Sequence, residues 1–209
     1  MRSALALGLA LLAAPAFAQA PVPGLSTSKP SNTTGFFFQA QLGASSYGGE
    51  AFDGLDDESV SGGGIGIGLG YGVSRVVTLF ANYDFTGLSN DQLDAANLDL
   101  YGGMFDIGVR INFRGERSQL VPYLDLALSG AAVLDENQDG FGGSGLTLGG
   151  GVQYFVSETF ALRGGLELSG GKYSYLVIDG DQVDLPDGVE KSDFGNARLH
   201  LGLSYYPFR

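Results

Sequence analysis

The chain has 209 residues, no cysteine, 35 glycines and a net charge of −12. Without cysteine it has no disulfide, no thiolate chemistry and no Cys-based metal site. An acidic chain without a basic cluster does not read as a nucleic-acid binder, and glycines without a G-x-y period exclude collagen.

Taken in order, the chain opens with Met1-Arg2-Ser3, an apolar run from Ala4 to Leu12, and Ala16-Phe17-Ala18 before Gln19. A basic start, a short apolar stretch and an A-x-A site make residues 1–18 a secretory signal peptide rather than a membrane helix. No cysteine follows the apolar run, so a lipid anchor is excluded. Residues 19–34, rich in Pro, Ser and Thr, read as a flexible periplasmic leader. Residues 35–209 then suit one domain, and no later apolar run is long enough for a spanning helix.

Eight segments alternate at the strand period, which puts successive side chains on opposite faces. Phe36 to Ala44 sets Phe36, Phe38, Ala40 and Leu42 against Gln39, Gln41 and Gly43. The second, Gly64 to Val73, has Ile65, Ile67, Leu69, Tyr71 and Val73 on one face and only glycine on the other. Val77 to Phe85, Tyr101 to Phe113, Leu120 to Leu128, Leu146 to Tyr154, Phe160 to Ser169 and Asn196 to Tyr206 repeat the pattern. No charged residue falls on the apolar face of any segment. About ten tilted residues per strand cross a hydrocarbon layer.

Short connections (Ser74-Arg75, Arg114 to Gln119, Phe155 to Glu158) alternate with long acidic ones (Tyr47 to Gly63, Gly87 to Asp99, Gly130 to Gly145, Gly170 to Phe194). This is an up-and-down meander, and an even strand number lets the sheet close without edges. Phe36, Phe38, Tyr71, Phe113, Tyr154, Phe160 and Tyr205 then fall at the short-turn rim, with Tyr83, Phe85 and Tyr101 at the long-loop rim. Two aromatic girdles around an aliphatic band are the mark of outer-membrane barrels. The predicted fold is all-β: an eight-stranded antiparallel up-and-down transmembrane β-barrel.

Over roughly residues 35–208 this pattern resembles the small bacterial outer-membrane β-barrels of the OmpA-domain and OmpX type. The resemblance implies both termini in the periplasm, loops at the cell surface, contact with outer-membrane lipid and lipopolysaccharide, and insertion by the barrel-assembly machinery. That machinery reads a terminal aromatic, whereas here Phe208 is penultimate to Arg209. The chain ends where the barrel ends, so no appended domain is expected. The alternative of the same pairing, a lipocalin-like barrel, turns the apolar face inward. A β-helix would need a short fixed repeat, which is absent.

Inward by parity are Asp84, Asp106, Asp125 and Glu167, with Arg110, Arg163, Arg198 and His200. An eight-strand bore is just wide enough for side chains to fill, and buried charges must be paired. The expectation is therefore a lumenal polar network that plugs the bore, with Arg110–Asp125 and Glu167–Arg198 as pairs. Asp135-Glu136-Asn137-Gln138-Asp139-Gly140 matches half of a calcium loop, in which Asp135, Asn137 and Asp139 offer oxygens. Position twelve is Leu146 rather than Glu, and the flanks are strands, so the alternative is an acidic solvated turn. Calcium at this loop is the one metal considered; no cofactor is assigned. The acidic loops are expected to gather divalent cations at anionic lipopolysaccharide, and Val177-Ile178-Asp179-Gly180 suggests a hairpin within the last of them.

The single histidine, His200, is four residues from Ser204, and both point inward. Lipid A deacylase barrels instead carry a His and a Ser two apart on the lipid side, so no catalytic residue is assigned. The role expected is structural or surface-interacting and not enzymatic. The alternatives are a narrow porin, a conduit for small hydrophobic molecules, and a lipid-modifying enzyme. Oligomeric state is left open.

Overall fold

Chain that alternates large apolar with small or polar residues stays extended, because only a pleated strand separates the two sets. The computed structural model describes residues 31–52, 59–89, 99–113, 118–178, 180–184 and 191–207. Its strands are β1 (Gly35–Gly48), β2 (Ser59–Gly72), β3 (Val77–Ser89), β4 (Leu100–Asn112), β5 (Leu120–Asp135), β6 (Gly140–Phe155), β7 (Phe160–Ile178), β8 (Asp181–Asp184) and β9 (Asp193–Tyr205). Apart from β8, each strand pairs antiparallel with its neighbours in sequence, β7 pairs with β9, and β9 returns to β1. The eight long strands thus form a closed barrel. The short β8 lies outside the ring, folded back on the upper end of β7 as the hairpin that the sequence suggested. Asp179 of that motif lies outside the described residues.

The oily face looks outward. Leu42, Ile67 and Leu201 are 68%, 65% and 71% exposed, while Arg110 and Asp125 across the wall are each 1% exposed. That orientation excludes the lipocalin-like alternative, which would bury the leucines and expose the arginines. Phe36 meets Tyr71 edge-on at 4.9 Å and Phe160 stacks on Tyr205 at 4.8 Å along the short-turn rim. At the other rim Phe85 stacks on Tyr101 at 5.7 Å. Two short turns use the same device: Ser74 Oγ accepts from the amides of Val76 and Val77, and Ser157 Oγ from those of Thr159 and Phe160. Each hydroxyl substitutes for a missing backbone acceptor.

The loop side departs from expectation. The strands climb further than predicted, and Gly130–Gly145 is not a long loop. β5 and β6 stay paired up to Leu134↔Gly140, leaving a tight turn at residues 136–139. The reason is an apolar interior where loops were expected. Tyr47, Phe52, Val60, Leu88, Met104, Ala131, Val133, Tyr173 and Phe194 form a buried cluster inside the upper barrel. A matching cluster (Phe37, Phe80, Val121, Ala127, Phe155, Ala161 and Tyr206) fills the lower end. The leader's end also differs. Ser31 and Thr33 are buried, and Thr33 Oγ1 donates to the Arg75 carbonyl at 2.8 Å, so this piece packs on the barrel's short-turn mouth.

Candidate functional site

Between the two apolar clusters lies a layer of charge built from five strands. β3 supplies Asp84, β4 supplies Asp106 and Arg110, β5 supplies Asp125, β7 supplies Arg163 and Glu167, and β9 supplies Arg198 and His200. All eight are buried. Strand parity sends them inward, and closure of the ring brings together groups distant in sequence. The guanidinium of Arg110 makes a bidentate pair with Asp125, both bonds 2.8 Å. This fork-on-fork geometry is the strong form of the interaction. Arg163 reaches Asp125 at 3.3 Å and Glu167 at 3.2 Å. Arg198 lies 2.9 Å from Asp84, 2.7 Å from Asp106 and 3.2 Å from Glu167. The two pairs anticipated by parity, Arg110–Asp125 and Glu167–Arg198, are therefore in contact, each embedded in a wider set.

Neutral groups complete the layer, and sequence reasoning missed them because nothing marks them but parity. Gln41 donates to Asp84 Oδ1 at 2.6 Å and accepts from Arg163 at 3.2 Å. Asp106 Oδ1 accepts from Ser129 at 2.6 Å and from Thr147 at 2.8 Å. Tyr123 lies under two cations, its ring centroid 4.3 Å from Arg110 and 5.1 Å from Arg163. Its hydroxyl accepts from Arg163 Nε at 2.9 Å. A buried cation over an aromatic face is stabilised by the ring's quadrupole.

Glycine makes this packing feasible. On β2 a Cβ at Gly66 would collide with Asp84 and Gln41, and one at Gly68 with Asn82 and Gln39. The bare wall is thus where side chains of β1 and β3 lie flat. Gly165 does the same for the Tyr123 hydroxyl and the His200 ring.

Oxygens of Asp84, Asp106 and Glu167 gather within 4.8 Å of one another, close enough to share a cation. The guanidinium of Arg198 contacts all three, so a tethered cation already serves them. His200 Nε2 lies 3.2 Å from the Tyr123 hydroxyl, and its Nδ1 is 3.8 Å from Glu167. Ser204 is buried and its hydroxyl has no hydrogen-bond partner, so it makes no dyad with His200.

The calcium-like motif forms the β5–β6 turn. Asp135 Oδ1 accepts from the amides of Asn137 at 2.8 Å and Asp139 at 2.9 Å, and Oδ2 from the Asn137 side chain at 3.3 Å. These bonds, chiefly that from Asp139, hold the Asp135 carboxyl below its ordinary range. Gln138 sits at φ 66° in the left-handed region. The first oxygen donor of the motif is thus committed to shaping a hairpin turn.

A family model described as "Outer membrane protein beta-barrel domain" matches residues 4–206. Among solved structures, Neisserial surface protein A aligns at 17% identity over 83% of this chain and 97% of its own, with a TM-score of 0.59. Outer membrane protein AlkL, solved in lipid bilayers, aligns at 13% over 90% of this chain and 95% of its own, TM-score 0.52. Outer membrane protein OprG from Pseudomonas aeruginosa aligns at 12% over 84% and 97%, TM-score 0.51. At such identities the likeness is one of fold. No curated protein matches the chain in sequence.

Proposed function

The chain belongs to the outer membrane protein beta-barrel family, and we propose that it acts there as a plugged, non-conducting barrel with a structural and surface-interaction role. One observation carries this reading. The bore holds three successive layers, apolar, charged and apolar, each made of buried side chains. An ion entering from either mouth would first meet a largely apolar layer that solvates it poorly. The few polar groups of the lower one (Thr78, Asn112, Gln153 and the Tyr206 hydroxyl) are bonded to one another, and eight strands leave little width beyond what side chains occupy.

The proposal extends to the ends of the molecule. Residues 1–18 would be removed on export, residues 19–34 would lead into a barrel domain spanning 35–209, and both termini would lie in the periplasm. The opposite end would face the cell surface, where Glu50, Asp99, Glu136, Asp139, Asp181 and Asp193 contribute negative charge. Acidic loops there would meet lipopolysaccharide through shared divalent cations rather than directly, since like charges repel. The role is read as non-catalytic, because the buried His200 and Ser204 share no hydrogen bond.

Planar-bilayer recording of the purified barrel tests the central claim. We expect electrical silence in wild type. Steady single-channel steps would favour the narrow-pore reading and remove this one, and an absence of heat on titrating millimolar calcium or magnesium would remove its cation part.

A further inference from the structure

Among the described residues the charged layer does not balance. Four carboxylates, Asp84, Asp106, Asp125 and Glu167, share the compartment with three guanidiniums, Arg110, Arg163 and Arg198. Apolar clusters close it above and below, so bulk water and salt do not screen the surplus negative charge, and leaving it uncompensated costs several kcal/mol. The surplus is also localised. Asp125 is paired with two guanidiniums, Arg110 and Arg163. At the other end Arg198 serves Asp84 and Asp106 by itself, and shares Glu167 with Arg163.

That end is also where hydrogen bonding is incomplete. His200 Nδ1 and Arg198 Nε are buried without a hydrogen-bond partner, and Glu167 Oε2 has only its ion pair with Arg198 at 3.2 Å. Beside them is a small cleft lined by Gln41, Ser45, Asp84, Thr86, Arg198 and His200. The titratable and charged groups facing His200 and Glu167 are Asp84 from β3, Asp106 and Arg110 from β4, Tyr123 and Asp125 from β5, Arg163 from β7 and Arg198 from β9. Tyr47 of β1 lies above them in the upper apolar cluster. β2 and β6 present no ionisable side chain here.

We propose that this end of the lumen is a proton-binding site: one proton, held on the edge between Glu167 and His200, neutralises the charged layer of the folded barrel. The geometry accommodates the proton on the Glu167 carboxyl. Tyr123 accepts from Arg163, so its own proton has two acceptors in reach, His200 Nε2 at 3.2 Å and the Gly164 carbonyl at 3.4 Å. With the imidazole neutral, Nε2 accepts from Tyr123, Nδ1–H faces Glu167, and the extra proton sits on the carboxyl.

The site makes folding take up a proton. Between about pH 7 and pH 9 an unfolded chain has its carboxylates ionised and its histidine neutral, whereas the folded layer keeps one proton. Stability is then greater at the lower pH and falls as pH rises. One proton released on unfolding raises the unfolding equilibrium constant about tenfold per pH unit.

The experiment is urea unfolding of the whole folded barrel in detergent across that range, in sodium and in choline buffers. Wild type is expected to show the one-proton slope in both salts. Glu167→Gln, which removes the surplus charge at nearly constant shape, is expected to flatten it, while Glu136→Gln in the β5–β6 turn keeps it. Should Glu167→Gln fail to fold, Asp84→Asn removes the same surplus and is read in the same way. A flat wild-type profile overturns the proposal. So does stability that depends on sodium, because a metal ion would then balance the charge.

Discussion

Arg198 ties three strands together through one side chain, contacting Asp84, Asp106 and Glu167 from β3, β4 and β7. A buried ion pair contributes little net stability compared with a well-packed apolar substitute, yet breaking it from one side is expensive because a charge is stranded. Arg198→Ala strands Asp84 and Asp106 and leaves Glu167 with Arg163 alone. We expect a loss of about 3–5 kcal/mol or more, read from urea unfolding at neutral pH. Arg198→Lys should fall between, since an ammonium keeps the charge but lacks the planar fork that reaches several partners. A loss under about 1 kcal/mol for the alanine variant, the scale of an ordinary surface change, would mean that these contacts do not organise the lumen.

The β5–β6 hairpin shows how one carboxylate shapes a turn. Asp135 caps the amides of Asn137 and Asp139, and the Gln138 carbonyl accepts from Gly180 N at 3.3 Å, joining this tip to the β7–β8 turn. Asp135→Ala should loosen the tip, seen as faster hydrogen exchange at the amides of Asn137 and Asp139 with the barrel otherwise unchanged. The same bonds set the acid response. The folded carboxyl lies below its unfolded value, so the contribution is full above the ordinary Asp range and fades as pH falls through the folded value. Protection at these two amides, once the intrinsic pH dependence of exchange is divided out, should therefore fall on acidification in wild type and be indifferent to it in Asp135→Ala. Equal rates in both proteins at neutral pH would deny the carboxylate its role.

At the scale of the molecule the outward belt of leucine, isoleucine and valine is what commits the barrel to lipid. Leu201 is the most exposed of these side chains and lies mid-strand in β9. Leu201→Arg should destabilise the inserted state by about 2–4 kcal/mol, the cost of a midplane arginine on the lipid face of a barrel. Folding into vesicles, followed by the shift in gel mobility of unboiled protein, checks this. A Leu201→Arg protein that stayed folded in buffer without detergent would place the belt in water.

Period-two alternation was enough to establish the eight barrel strands, their antiparallel order and the parity of every lumenal charge, because side-chain direction in a strand depends only on position along it. That Ile67 and Asp84 take opposite faces follows from that rule alone. The alternation carried no information on which way the finished wall would curl, and solvent exposure of Leu42 and Leu201 answered it. Nor did it disclose the apolar layers. Val133 and Tyr173 obey inward parity but lie among glycines and small residues that read as loop, while Met104 sits inside the fourth segment with no charge to mark it. Tyr123, Gln41 and Thr147 were silent for a different reason. Their importance comes from neighbours that ring closure brings within 3 Å or so, and an uncharged residue gives no local sign of the charge it will serve. Sequence determines the face a side chain takes locally. Which partners meet across the bore, and whether their charges cancel, depends on closure of the whole ring.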